Sequence, residues 1–168
     1  MDKIVVRPIR DDEIIALCKA ERDESEDNVK YYERYLNWQR EGECTFLIAL
    51  LNDEIAGYVF VLHRDRWGSA ANQGIPGLAD LWVFEWNRGK GIGNALLDEA
   101  ECVAAKYSDI LHLDVHVTAE AGAAHRLYFR RGYMPDGKGV YLNYKPYEDS
   151  MGKVNPDDLT LSMFKRLK

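Results

Sequence analysis

The sequence predicts one mixed α/β domain in the order strand, two helices, three strands, helix, strand, helix, two strands. Three observations carry that prediction. Apolar, β-branched runs of strand length recur between turn-forming residues. A glycine-rich run at Arg88-Gly89-Lys90-Gly91-Ile92-Gly93 separates such a run from a stretch of helical apolar spacing. No repeat, low-complexity tract or linker divides the 168 residues, and a chain of that length buries roughly 70% of its unfolded surface in one core.

Residues 4–9 are apolar and β-branched, a first strand reaching Pro8. Asp11-Asp12-Glu13 opens a helix with acids in its first turn, where the helix dipole favours them; Ile14, Leu17 and Cys18 form its apolar face. Residues 21–27 are acidic and read as a solvated turn. A second helix over about 28–40 puts Val29, Tyr32 and Leu36 on one stripe, with Tyr31, Tyr35 and Trp38 beside it. Gly42 supplies its stop. Residues 44–51 and 55–62 are strands around Asn52-Asp53, a hairpin. The stretch 63–77 holds three glycines and a proline, and so long a loop is uncommon unless it serves a function. Residues 78–84 form a third apolar run. After the glycine-rich run, Ile92, Ala95, Leu96, Ala100, Val103 and Tyr107 recur at helical spacing. Leu111, Leu113, Val115 and Val117 alternate as a strand, residues 121–131 are a short helix, and 140–147 and 159–167 are closing strands.

The charge balance of 22 basic against 28 acidic residues, net −6, disfavours nucleic acid as main partner and suits a cationic substrate. No apolar run approaches the ~20 residues of a membrane span, and residues 1–8 lack the apolar segment of a signal peptide. Cys18, Cys44 and Cys102 form no CxxC pair and read as buried thiols of a reduced, cytoplasmic protein.

The glycine-rich run carries the sharpest chemistry. A helix N-terminus offers free N–H groups and the positive end of a dipole, and glycines let the backbone approach an anion. Arg88 and Lys90 add positive charge, so the run reads as a pyrophosphate cradle. It is not a Walker loop, because Gly91 follows Lys90 where Ser or Thr is needed, nor a GxGxxG dinucleotide loop, because Asn94 stands at the last glycine position. The plainer reading is a glycine-rich turn without a ligand.

Leu81-Trp82-Val83 through Gly93 resembles motif A of the GNAT superfamily of acyl-CoA-dependent N-acetyltransferases, R/Q-x-x-G-x-G/A, with Arg88, Gly91 and Gly93 in place. Ala124 through Tyr133 resembles motif B, A-x-x-L-Y-x-x-x-G-F/Y, with Leu127, Tyr128 and Gly132 in place. Ala121 stands where the family often has Asn. The resemblance spans essentially the whole chain. It implies a mostly antiparallel sheet of about seven strands with about four helices, splayed between the fourth and fifth strands. It further implies acetyl-CoA as cosubstrate, held by Leu81, Trp82, Val83, Arg88, Gly89, Lys90, Gly91, Ile92, Gly93, Ala121, Ala124, Tyr128 and Arg131. By the same resemblance a homodimer is expected, and no metal. A non-catalytic acyl-CoA sensor is the rival reading.

The reaction so implied is attack of a primary amine on a thioester. Neutralising an ammonium of pKa ~10.4 at pH 7 costs about 4.6 kcal/mol, while a thiolate of pKa ~8.5 is mismatched by only about 2 kcal/mol, so the base has the larger task. By resemblance Tyr128 is the acid; its plainer reading is a core tyrosine. Asp80, on the strand entering the glycine-rich run, is the first candidate base, and Glu85 at the strand end is another. Alternation puts Asp80 and Trp82 on one face, Leu81 and Val83 on the other. Asp114 and His116 are further candidates, since His112, Asp114 and His116 share a strand face; lining a cleft explains them more simply than a metal does. His63 and His125 read as packing or surface residues. The acids Glu21, Asp23, Glu24, Glu26 and Asp27 either attract a cationic acceptor or are merely solvated.

Overall fold

A computed structural model describes residues 2–167. Strands β1 (Ile4–Pro8), β2 (Cys44–Leu51), β3 (Glu54–Leu62) and β4 (Gly77–Val83) pair in sequence, all antiparallel. A second antiparallel set comprises β5 (Ile110–His116), β6 (Met134–Leu142), the two-residue β7 (Lys145–Pro146) and β8 (Leu159–Arg166). The parallel pair β4/β5 joins the sets into an eight-stranded sheet ordered β1-β2-β3-β4-β5-β8-β6-β7. The expected seven strands are present, and β7 is the addition. No helix of the described residues is long and apolar enough to cross a membrane.

Period-two alternation in β2 and β3 sorts the core into two layers. Leu47, Ala49, Val59 and Val61 face a cluster capped by α3 (Ile92–Ala104) and α4 (Gly122–Arg130). Phe46, Ile48, Tyr58 and Phe60 face the opposite cluster, capped by α1 (Ile14–Glu21) and α2 (Glu26–Arg40). Asn52 and Asp53 take φ of 51° and 68°, the two left-handed residues of a tight hairpin turn.

Several local expectations change. The acids of Asp11-Asp12-Glu13 precede α1 rather than occupy its first turn; Glu13 instead accepts two bonds from the Arg7 guanidinium, at 2.8 and 2.6 Å. α2 begins at Glu26, where the Ser25 side chain accepts the Asn28 N–H at 3.3 Å. Cys18 and Cys44 are buried, but Cys102 is exposed on the outer side of α3. β6 starts at Met134, six residues before the expected strand, and its register slips between Pro135 and Val140, where Gly137 and Gly139 have φ of 80°.

The feature that positions the site is the seam between the two strand sets. β4 and β5 are in register only at Gly77/His112 and Leu78/Leu113. Beyond Leu78 they part, which is the splay the resemblance implies.

Candidate active site

A β-bulge shapes the strand that borders the seam. Ala79 pairs with Phe60 and Trp82 with Tyr58, so Asp80 and Leu81 together oppose Val59. Asp80 takes φ 49°, a left-handed conformation uncommon outside glycine. The bulge resets the alternation: Leu81 and Val83 rejoin the α3/α4 core, while Asp80 and Trp82 stay exposed, the pairing of faces expected from sequence. β3 lies close beneath, since a Cβ on Gly57 would come within 2.5 Å of the Trp82 carbonyl oxygen.

Two clefts open from the seam. The first, about 560 Å³, is lined by Asp80, Leu81 and Trp82 on one side and by Val115, Ala124 and Tyr128 on the other. The second, about 370 Å³, lies among Tyr35 and Trp38 of α2, Asp65 and Trp67 of the 63–76 loop, and Tyr144 of the β6–β7 turn. Leu78, Asp80, Asp114 and His116 line both, so the clefts meet at those four residues.

Tyr128 is 7% exposed. Burial, and then the charge of Asp80, push its pKa above the usual phenol value, and no protein hydrogen bond contributes to that shift. The Asp80 carboxylate accepts a hydrogen bond from the Tyr31 hydroxyl of α2. Burial, reinforced by Asp80, keeps Tyr31 protonated as well.

The glycine-rich run sits where β4 ends. Gly89 and Gly91 have φ of 76° and 85°, and α3 starts at the next residue, Ile92. The first bond of the helix runs from the Ala95 N–H to the Gly91 carbonyl, at 3.1 Å, leaving the N–H groups of Ile92, Gly93 and Asn94 without a partner in the helix. A Cβ on Gly91 would meet only the end of Ile4, at 3.9 Å, so this turn opens outward. Gly93 instead packs on α4, where a Cβ would stand 3.3 Å from Leu127. Arg88 donates through Nε to the Val83 carbonyl at 3.0 Å and lays its guanidinium over Trp82, while Lys90 is exposed.

Of the residues singled out from sequence, Asp80, Leu81, Trp82, Ala121, Ala124 and Tyr128 line the first cleft, with Asp114 and His116. Glu85 does not; it is exposed in a one-turn 3-10 segment, Glu85–Asn87. Nor does Arg131, whose guanidinium is taken by Glu101 at 2.9 Å and Asp98 at 2.8 Å, tying the end of α4 to α3. Glu21, Asp23, Glu24, Glu26 and Asp27 line neither cleft. His63 stacks on Tyr107, and His125 bonds the His116 carbonyl at 2.6 Å, both packing roles.

His112 shares the expected strand face with Asp114 but is covered by the 63–76 loop instead of lining a cleft. It is 1% exposed, apart from the cleft-lining His116. Its Nδ1 donates to Asp65 at 2.8 Å; its Nε2 lies 3.0 Å from Ser69 Oγ, 3.1 Å from Ser162 Oγ and 3.5 Å from Asp114. Ser69, His112 and Asp65 thus stand in the order of a hydrolytic triad. Burial alone would lower the His112 pKa, but bonds to Asp114 and Asp65 outweigh it and push it up to about 9. An imidazolium cannot take the serine proton, and Ser69 Oγ already donates to Asp114 at 2.7 Å. The group is a clamp fastening the 63–76 loop to β5. The two carboxylates and the imidazole bring ligand atoms within 4.8 Å of one another, yet the imidazolium already occupies the space between them. Asp65, Trp67 and Ser69 had no sequence signal beyond the unusual length of their loop, and Tyr144, read as part of a strand over 140–147, lies instead in the β6–β7 turn.

By sequence, no curated protein matches the chain significantly. Among solved structures, a ribosomal-protein-alanine N-acetyltransferase from Brucella melitensis superposes with TM-score 0.70 at 20% identity, over 97% of this chain and 99% of that one. The ribosomal-protein-S18-alanine N-acetyltransferase of Escherichia coli does so with 0.68 at 16%, over 99% and 95%. The yncA protein of Salmonella typhimurium, solved with acetyl-CoA, gives 0.70 at 15%, over 98% and 94%. These likenesses show the fold. The family model of the GNAT acetyltransferases matches residues 12–133, most of the chain and all of the seam, and the chain belongs to that family.

Proposed function

We propose that the protein is an N-acetyltransferase that carries an acetyl group from acetyl-CoA to a primary amine by direct attack within a ternary complex. The observation that carries this reading is the meeting of two clefts at Asp80, on opposite sides of a parted strand pair. The first cleft fits a pantetheine arm between β4 and β5, and the Gly91 turn, where α3 leaves its first N–H groups without helical partners, fits a diphosphate. The second leaves room for the acceptor.

In this reading Asp80 takes the proton from the acceptor ammonium, directly or through one water. The amine nitrogen then bonds to the thioester carbon, the carbon–sulfur bond breaks with its electron pair on sulfur, and the second proton of the attacking nitrogen passes through water to that sulfur, giving the amide and the free thiol. Tyr128, on the first-cleft wall, donates a hydrogen bond to that sulfur. The strained φ of Asp80 supports its role, since such conformations persist where surrounding structure enforces them, and cluster at functional sites.

The test is calorimetry of acetyl-CoA followed by release of free thiol with a panel of amines. Acetyl-CoA should bind, and at least one amine should release thiol. Asp80→Asn should lower kcat by about 10²-fold or more, an effect that weakens toward high pH as the free amine loses its proton unaided. Binding without thiol release for any amine would favour a sensor.

A further inference from the structure

We propose that the second cleft selects a primary amine carried on an aromatic body, in preference to a polyamine or a peptide N-terminus. This rests on the acetyl-transfer reading, since it assigns that cleft to the acceptor.

The charges lining the cleft leave room for one ammonium. Its carboxylates are Asp65, Asp80 and Asp114, and Arg34 also lines it. Asp65 already accepts from His112 Nδ1 at 2.8 Å and from the N–H groups of Trp67 and Gly68 at 3.2 and 2.9 Å. Asp114 accepts the Ser69 N–H at 2.9 Å and its hydroxyl at 2.7 Å. Set against these three acids are the His112 imidazolium and Arg34, so one net negative charge remains. Asp80, exposed and engaged by Tyr31, is the carboxylate free to meet a cation, and it stands at the border with the first cleft. A polyamine's second and third ammonium groups would find no further open carboxylate.

Four aromatic side chains, Tyr35, Trp38, Trp67 and Tyr144, make up much of the remaining wall. Trp38 and Trp67 stack with ring centroids 4.8 Å apart, and Tyr35 is backed by Phe60 at 3.6 Å. Tyr144, in a turn with φ of 47° at Asn143 and 64° at Tyr144, faces them from the β6–β7 side. Trp67 and Tyr144 are 50% and 49% exposed, large apolar faces held at the mouth of a charged cleft. Single exposed aromatics are ordinary, but two from separate loops on one cleft form a binding wall. Thr160, which also lines the cleft, keeps a buried hydroxyl without a partner, so a polar substituent on the acceptor's ring has a group to meet. The volume of about 370 Å³ suits a small molecule.

The experiment measures thiol release from acetyl-CoA with phenethylamine, tyramine, spermidine and a short peptide bearing a free N-terminal alanine. The aromatic amines should show kcat/KM at least tenfold above the other two. Trp67→Ala, and separately Tyr144→Ala on the opposite wall, should raise KM for phenethylamine about tenfold, with acetyl-CoA affinity by calorimetry unchanged. Better use of spermidine or peptide, or an equal effect of both variants on every amine, would overturn the proposal while leaving acetyl transfer intact. Should no amine release thiol, the transfer reading falls. Calorimetric binding of phenethylamine that Trp67→Ala abolishes would then still uphold the cleft's selectivity, and no binding would overturn it.

Discussion

Burial and the charge of Asp80 both hold Tyr128 in its phenol form, so its O–H stays available to a leaving sulfur across the working pH range. Full proton transfer from a phenol above pKa 10 to a thiolate near 8.5 is uphill by more than about 2 kcal/mol. In the proposed reaction Tyr128 therefore acts by hydrogen-bonding the sulfur as charge develops there rather than by giving up its proton. Tyr128→Phe should lower kcat by about 10²-fold with little change in acetyl-CoA affinity, and the wild type should show no alkaline loss of kcat from this group below pH 10. Unchanged turnover in the variant would remove Tyr128 from the reaction. His112 bears on stability instead. Its pKa is about 9 in the fold, against an ordinary value near 6.5. A raised value means the stabilisation is fully present below about pH 6.5 and is lost as pH rises through 9. The shift corresponds to something on the order of 3 kcal/mol. Urea unfolding of the wild type and His112→Gln should differ by that order at pH 6, and the gap should shrink toward pH 10. Parallel profiles would show that the imidazolium carries no such charge-dependent share.

Among the elements, β4 does the most for the site, and its shape depends on its neighbour. The bulge at Asp80 is accommodated because Gly57 of β3 has no side chain, the Trp82 carbonyl lying 2.5 Å from where a Cβ would stand. That contact is with backbone, so Gly57→Ala must push β4 outward. We expect a loss of roughly 1–3 kcal/mol in urea unfolding and a drop in kcat/KM beyond what stability explains, because Asp80 and Trp82 move with the strand. Normal activity in a destabilised Gly57→Ala would separate the bulge from catalysis. Much of this element was legible: a strand, the glycine turn and a helix follow one another in the sequence, and alternation assigned Asp80 and Trp82 to one face. The bulge was not, because it depends on how Tyr58 and Phe60 pair across the sheet. β6 was hidden for a different reason: Pro135, Gly137 and Gly139 are poor strand formers, and the strand is set by pairing with β8 on either side of the irregular stretch between Pro135 and Val140, where both glycines are left-handed. The His112 clamp and the aromatic cleft were beyond sequence too, since the clamp joins residues about fifty positions apart through a loop with no periodic signal, and the cleft gathers side chains from α2, that loop and the β6–β7 turn.

For the whole molecule the question is whether two strand sets, joined at Gly77/His112 and Leu78/Leu113, unfold as one. The backbone seam is narrow, with the His112 N–H to Pro76 carbonyl bond at 3.1 Å adding one link. The core is not narrow. One continuous cluster contains Leu47 and Val59 from the first set, Leu96 and Ala100 from α3, and Leu111, Leu113 and Met163 from the second set. Glu101 of α3 binds it on the outside, accepting from Arg131 at 2.9 Å and from Lys165 of β8 at 2.7 Å. Separating the sets would expose that cluster to water on both sides, so a half-folded state gains little entropy for the apolar area it loses. We expect one thermal transition whose calorimetric and van't Hoff enthalpies agree, near 120 kcal/mol at ~0.7 kcal/mol per residue for 168 residues. Acetyl-CoA bound across the seam at 100 times its Kd should add about 2.7 kcal/mol, raising Tm by roughly 5–10 °C at 2–4 °C per kcal/mol. Two resolved transitions, with acetyl-CoA shifting only one, would mean that the strand sets fold as separate units and that the ligand grips one of them alone.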